Sequence, residues 1–199
     1  MNIRDAIVCI DPGHGGSDPG ATYNGLEEKE LALKISKYAE ERLKSFGASV
    51  KLTRTSDTYL SLSKRTQISN DFHSDVFVSV HINATPSGTG IETWVHDNAS
   101  HYAVDLANNV QNELIYKTRV YNRKVKKCPS QRIINGKPTN IYVVDPSNIN
   151  AWAILTENLF IDNENDHAKL QDEEFLKKLG YAIAGGVYDF INNLPFEKV

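Results

Sequence analysis

Short apolar runs alternate with segments of helical period along most of the chain, and this alternation limits the fold more than any other feature of the sequence. Ala6 to Asp11, Ser49 to Arg54, Asp75 to Ile82 and Ile91 to His96 read as strands, and Ile141 to Val144 and Trp152 to Thr156 as shorter ones. Between them, Leu31, Ile35, Ala39, Leu43 and Phe46 share one face of a helix expected from Glu28 to Phe46, with Gly47 as its stop. Leu62, Arg65, Ile68 and Phe72 suit a short amphipathic helix. Ala103, Leu106, Ala107, Val110 and Leu114 mark another, and Phe175, Leu179, Ala182, Ile183, Val187 and Phe190 a last one. Residues 117 to 140 carry weak signals and are expected to form an irregular insertion. Strands alternating with helices predict a single α/β domain, with helices on both faces of a mostly parallel central sheet of about six strands. The domain is expected to span residues 1–194, with 195–199 a tail or the start of a linker.

Composition narrows the function classes. The 199 residues are 40% hydrophobic and carry a formal charge of −3, enough apolar material for one core and no electrostatic case for a nucleic-acid or anionic membrane partner. The basic run Arg123, Lys124, Lys126 and Lys127 reads as a solvated loop or helix end. No apolar stretch approaches the ~20 residues of a membrane span. Met1 to Asp5 opens no charged leader followed by a long apolar segment, so no signal peptide and cytoplasmic synthesis are expected. Two cysteines make no disulfide framework. Cys9 reads as a small core residue, while Lys126 and Lys127 beside Cys128 suggest a lowered thiol pKa.

In sheets of this kind ligands gather at the carboxyl ends of strands. His14 follows the first strand in the open turn Asp11-Pro12-Gly13-His14-Gly15-Gly16. His81 and Asn83 end the valine-rich strand, Glu157 ends the strand at Trp152, and Glu28 opens the first long helix. Two imidazoles and a carboxylate make a sound catalytic zinc set that leaves a fourth position for water. Each residue also has a plain structural reading: a turn histidine, a half-buried strand-end histidine, a first-turn helix carboxylate. His96 and His101 compete for a ligand role. His73 and His167 have polar neighbours typical of surface positions. No His-Glu-x-x-His helix motif and no Gly-x-Ser-x-Gly elbow is present.

Five segments occur in a telling order: Ile10-Asp11-Pro12-Gly13-His14-Gly15-Gly16-Ser17-Asp18-Pro19-Gly20-Ala21, Glu28-Lys29-Glu30-Leu31, Leu52-Thr53-Arg54, Ser79-Val80-His81-Ile82-Asn83-Ala84 and Leu155-Thr156-Glu157-Asn158. Together they resemble the zinc-dependent N-acetylmuramoyl-L-alanine amidases, often called amidase type three, from about residue 6 to residue 192. The resemblance implies that His14, Glu28 and His81 hold one Zn2+. Glu28 is taken rather than Glu27 because the family pattern places the ligand directly before a residue matching Lys29. It implies further that Glu157 is the catalytic carboxylate and that bacterial peptidoglycan is the partner. Asp11 or Asn83 would orient ligands or touch substrate.

A zinc peptidase acting within the stem peptide, a cysteine hydrolase built on Cys128, and a non-catalytic wall-binding module are the alternatives. A monomer is expected, released to the wall as a phage lysin or mother-cell lysis enzyme, or else cut from a longer protein. The family commonly has Gly after Glu-Asn where this chain has Leu159, and the stretch Cys128 to Thr139 looks longer than usual. Both departures bear on the substrate groove.

Overall fold

A computed structural model describes residues 1–85, 87–128, 133–134, 137–138 and 141–195. In chain order the elements are β1 (Ile7–Pro12), β2 (Thr22–Tyr23), β3 (Leu26–Glu27), α1 (Glu28–Phe46), β4 (Ser49–Leu52), α2 (Leu62–Asp71), β5 (Val76–Asn83), β6 (Ile91–His96), α3 (His101–Thr118), β7 (Asn122–Cys128), β8 (Ile133–Ile134), β9 (Lys137–Pro138), β10 (Trp152–Phe160), α4 (Glu164–Leu170) and α5 (Glu173–Asn193). The main sheet has six strands in the order β4-β1-β5-β10-β6-β7. The first four run parallel, β6 lies antiparallel to β10, and β7 is parallel to β6.

The alternation of side chains along each strand divides the core in two. Val8, Ile10, Val76, Val78, Val80, Ile82 and Ile154 face the layer of α1, α3 and α5 and build the larger cluster. Cys9, Phe77, Ala153 and Leu155 point the other way, into a smaller cluster with Val143, Val144 and Ile149. On that second side α2 packs against a 3-10 turn at Tyr142–Val144. The second side, less fully covered by helices, carries the cleft described below.

Helix α5 fits between α1 and α3 because glycines let backbones approach. A Cβ on Gly180 would stand 2.5 Å from the Ile35 carbonyl oxygen, and one on Gly186 would stand 2.4 Å from the Val110 Cα.

Several expectations are corrected. Residues 117–140 are not simply irregular: Asn122–Cys128 forms an edge strand of the main sheet, and the basic run lies on it. Residues 129–132, 135–136 and 139–140, and so most of the Cys128–Thr139 stretch, lie outside the described residues, as do residues 196–199 of the expected tail. Ile141 to Val144 is a 3-10 turn and not a strand. The hairpin β2–β3 and helix α4 were not expected. His167 is buried, with Nδ1 3.0 Å from the Ile161 carbonyl oxygen and its ring edge-on to Tyr23. Among the described residues no helix is long and apolar enough to cross a membrane.

Replacing Gly186 by Ala tests the close approach of α5 and α3. Helix propensity alone would favour Ala by about 1 kcal/mol. The clash with the Val110 backbone should outweigh that and leave the protein about 1–3 kcal/mol less stable. A lower denaturant midpoint is expected; a raised one would show that the helices do not approach this closely.

Candidate metal centre

Three segments converge where β1 and β5 end. The turn after β1 carries His14 at φ 57°, between Gly13 and Gly15. Gly13 is required there because a Cβ would lie 2.4 Å from the His81 ring. After Gly20, the Asn24-Gly25 pair closes the β2–β3 hairpin with both residues at positive φ, the conformation a two-residue type I′ turn demands. The hairpin leads directly into α1. Its free first amides are met by the Ala21 carbonyl on Glu28 and the Pro19 carbonyl on Lys29.

Glu28 is 4% exposed. Its Oε1 lies 3.1 Å from His14 Nε2 and 3.0 Å from His81 Nδ1, and accepts the Ile82 N–H at 3.0 Å. Its Oε2 accepts the Ala21 N–H at 2.8 Å. The candidate ligand atoms of His14, Glu28 and His81 all lie within 4.8 Å of one another. A tetrahedral ion with bonds of about 2.0–2.1 Å spaces its ligand atoms by ~3.3 Å, so the donor set fits a zinc-type ion and the two Glu28–imidazole separations, 3.1 and 3.0 Å, lie close to that spacing.

Burial acts to raise the Glu28 carboxyl, but the hydrogen bonds and charge of the two imidazoles hold it well below the usual carboxylate range. Burial lowers His14, yet Glu28 and Asp18 outweigh it and push the imidazole up to about 9. Protons and metal compete for such ligand atoms. Asp18 Oδ2 sits 2.8 Å from His14 Nδ1, the ring nitrogen turned away from Glu28. Orienting partners of this kind are usual for ligating histidines. Sequence reasoning missed Asp18. The available signal was its place four residues after His14 in a glycine turn, closed by paired backbone bonds between Gly15 and Asp18.

The remaining expected residues fall around this group. Glu157 is 5% exposed, pairs in register with His81 on the neighbouring strand, and lines the same cleft of about 580 Å³. Asp11 also lines it, but its carboxylate takes hydrogen bonds from Thr53, Arg65 and Ser79 rather than from an imidazole. Asn83 lines the rim and donates to Glu92 Oε1 at 3.1 Å. Glu27 pairs with Lys29 at 3.2 Å and stands apart from the group. Tyr59, Leu60 and Tyr142 also line the cleft. His96 is buried beside Asp97 and Asp145, His101 and His73 are exposed, and none of the three lines the cleft.

Glu92 lies directly across the strand pair from Glu157. Like charges in that relation repel. Arg123 Nε at 2.5 Å and Lys126 Nζ at 2.6 Å bond the Glu92 carboxylate, so these two members of the basic run supply counter-charge, while Lys124 and Lys127 are exposed. Burial would raise Glu92, but these two cations hold it below its ordinary value.

Cys9 is a buried core residue as expected, while Cys128 differs from expectation. Burial and the nearby Asp11 push Cys9 up to about 12. Burial likewise raises Cys128, which is 3% exposed and donates to the Val95 carbonyl, so Lys126 and Lys127 do not activate it as a nucleophile.

In this mostly parallel α/β domain, two strand-end histidines and a helix-start glutamate form a group that could hold a metal ion, and a second glutamate lies in the same cleft. The family model described as N-acetylmuramoyl-L-alanine amidase matches residues 8–189, and the chain belongs to that family. It is 37% identical over 187 residues to an endolysin of Bacillus phage SPP1, covering 94% of this chain and 66% of the relative. It is 37% identical over 188 residues to the sporulation-specific N-acetylmuramoyl-L-alanine amidase of Bacillus subtilis (strain 168), covering 93% and 68%. The crystal structure of N-acetylmuramoyl-L-alanine amidase from Clostridium difficile 630 superposes with a TM-score of 0.84 at 32% identity, covering 96% of this chain and 98% of that one. The chain thus spans about two thirds of the length of the phage endolysin.

Two outcomes follow from the buried charges and thiols. Because Glu92 is held low, its ion pairs contribute fully above about pH 4.5, its ordinary value, and are lost as pH falls through the lowered folded value. Glu92→Gln should therefore be about 1–3 kcal/mol less stable at pH 7 and lose less stability on acidification than the parent, measured by urea unfolding from pH 7 to 3. Parallel acid profiles would contradict this. Cys9 and Cys128 should react with a disulfide reagent only as fast as the protein opens, and fast reaction of the folded protein would show an accessible thiolate.

Proposed function

We propose that this chain is a zinc-dependent peptidoglycan hydrolase that cuts the amide joining N-acetylmuramic acid to L-alanine of the stem peptide. The observation that carries the reading is the convergence of His14, Glu28 and His81 in a cleft shared with Glu157, in a chain of the N-acetylmuramoyl-L-alanine amidase family. One zinc ion held by those three residues would polarise the scissile carbonyl and lower the pKa of the attacking water.

The chain's own residues supply the rest. Glu157 takes the proton of the attacking water as its oxygen bonds to the lactyl carbonyl carbon. It then gives that proton to the alanine nitrogen as the C–N bond breaks. The products are a free lactyl carboxylate on the glycan and a stem peptide with a new amino terminus. Ala21 and Ile82 hold the Glu28 carboxylate with their N–H groups, and Asp18 fixes the His14 ring, so the ligand atoms need little reorganisation. The names of the phage endolysin and the sporulation-specific amidase support a wall substrate reached during phage lysis or sporulation.

Purified peptidoglycan, digested with and without a zinc chelator and read by mass spectrometry, tests the reaction. Stem peptides with a free L-alanine amino terminus are expected, lost on chelation and restored by zinc. Fragments cut inside the peptide would replace this reading with a zinc peptidase, and binding without cleavage with a wall-binding module. Glu157→Gln should keep its zinc and lose about 10²–10⁴-fold in kcat; full activity in the zinc-loaded variant would remove Glu157 from the base role.

A further inference from the structure

The turn that carries His14 runs through three consecutive positive-φ residues, His14, Gly15 and Gly16. Such a turn cannot bond its own carbonyls as a helix or strand would, and buried carbonyls left unpaired are costly. Five consecutive carbonyls, Pro12 to Gly16, nevertheless all find donors. Gly15 takes the Asp18 N–H and Gly16 takes Lys29 Nζ. The other three are met by two buried guanidiniums. Arg54 donates from Nε to Pro12 at 3.1 Å and from one terminal nitrogen to Gly13 at 2.7 Å. Arg65 donates to Pro12 at 2.7 Å and His14 at 2.6 Å, with its charge balanced by Asp11 at 2.9 Å.

Arg54 does more than fill the turn. The terminal nitrogen that bonds Gly13 also donates to the Lys29 carbonyl at 2.7 Å, in the first turn of α1. One nitrogen thus ties the peptide that precedes His14 to the helix turn that carries Glu28. All four hydrogen bonds of Arg54 found among the described residues go to carbonyls of the chain. Arg54 is 4% exposed and does not line the cleft, so it reaches no substrate. A buried guanidinium whose only task was to fill space would be replaceable by an apolar side chain at little cost. Here its planar fork meets four carbonyls, those of Pro12, Gly13, Lys29 and Ser56, from three fixed nitrogens, whereas a lysine ammonium has three donors on a single atom and cannot meet all four.

We propose that Arg54 is a positioning residue for the metal group, setting the spacing of His14 and Glu28 by bonding the Gly13 and Lys29 carbonyls together. This rests on the reading of His14, Glu28 and His81 as metal ligands. Arg54→Lys keeps the charge and most of the stem but loses the fork, and Arg54→Ala opens a space for an added guanidinium ion.

Zinc affinity by competition with a chromophoric chelator, and the visible spectrum of the cobalt-substituted protein, are compared with the thermal midpoint before metal is added. Both variants are expected to bind zinc about 10–100-fold more weakly, with an altered cobalt spectrum, and added guanidinium should restore affinity to Arg54→Ala. Zinc affinity and cobalt spectrum within twofold of the parent in both variants, whatever the thermal midpoint does, would overturn the proposal. So would a loss of fold in both variants that saturating metal does not reverse, because Arg54 would then serve the fold alone. Failure of the underlying metal reading would show separately, as a parent protein that binds neither ion.

Discussion

The Glu28 carboxylate is the point on which the site's geometry depends. It joins the start of α1, the glycine turn after β1 and the end of β5 through two backbone amides and two imidazoles. A carboxylate this deeply buried costs several kcal/mol unless every oxygen is met, so the three segments can hold it only in one mutual arrangement. The hairpin before α1 and the glycines at 13 and 20 follow from that requirement. A Cβ at Gly20 would lie 2.6 Å from Glu28 Oε2 and 2.7 Å from the His14 ring.

The sheet supplies the other half of the arrangement. The residues facing the smaller cluster along β1, β5 and β10 begin apolar at Cys9, Phe77 and Ala153 and turn polar toward the strand ends at Asp11, Ser79, His81 and Glu157. Parallel register sets these polar ends side by side: Asp11 opposite Ser79, and Glu157 opposite His81. The antiparallel strand β6 then brings Glu92 opposite Glu157, and the cations of the edge strand β7 keep that carboxylate pair from being a bare repulsion. The late strands thus serve the electrostatics of a site whose candidate metal group, His14, Glu28 and His81, comes from the earlier segments.

The parts of this organisation that were legible in the sequence are those governed by local pattern. Helix α1 runs from Glu28 to Phe46 and β6 from Ile91 to His96, as the periodicity indicates, because burial on one face imposes it. That His14, Glu28, His81 and Glu157 could meet was readable from their places at strand ends and a helix start. Strand β7 was hidden because edge position leaves it polar, NRKVKKC, and its lysines and arginine read as solvent-facing when two of them answer a glutamate 31 and 34 residues away. The β2–β3 hairpin had a usable signal in Asn24-Gly25 that short flanking strands obscured. His167 and Cys128 were misjudged from their polar neighbours, since burial is decided by segments distant in sequence. The partners of Asp11 are of the same kind, because Arg65 comes from α2 across the sheet end.

Leu159 shows how a local rule can be broken without disturbing the cleft. Strict alternation along β10 would place it on the same side as Leu155 and Glu157, where the departure from glycine suggested an altered groove. The register shifts between Glu157 and Phe160, and Leu159 adopts φ 76°. The side chain swings into the larger core, fully buried, and lines no part of the cleft. A non-glycine residue in this region costs about 1–3 kcal/mol, while burying a leucine gains about 1.5–3 kcal/mol. The two nearly cancel, so the position accepts leucine as well as glycine. What it must preserve is the bulge, because the bulge lets β10 leave its register with β5 immediately after Glu157 has been set beside His81.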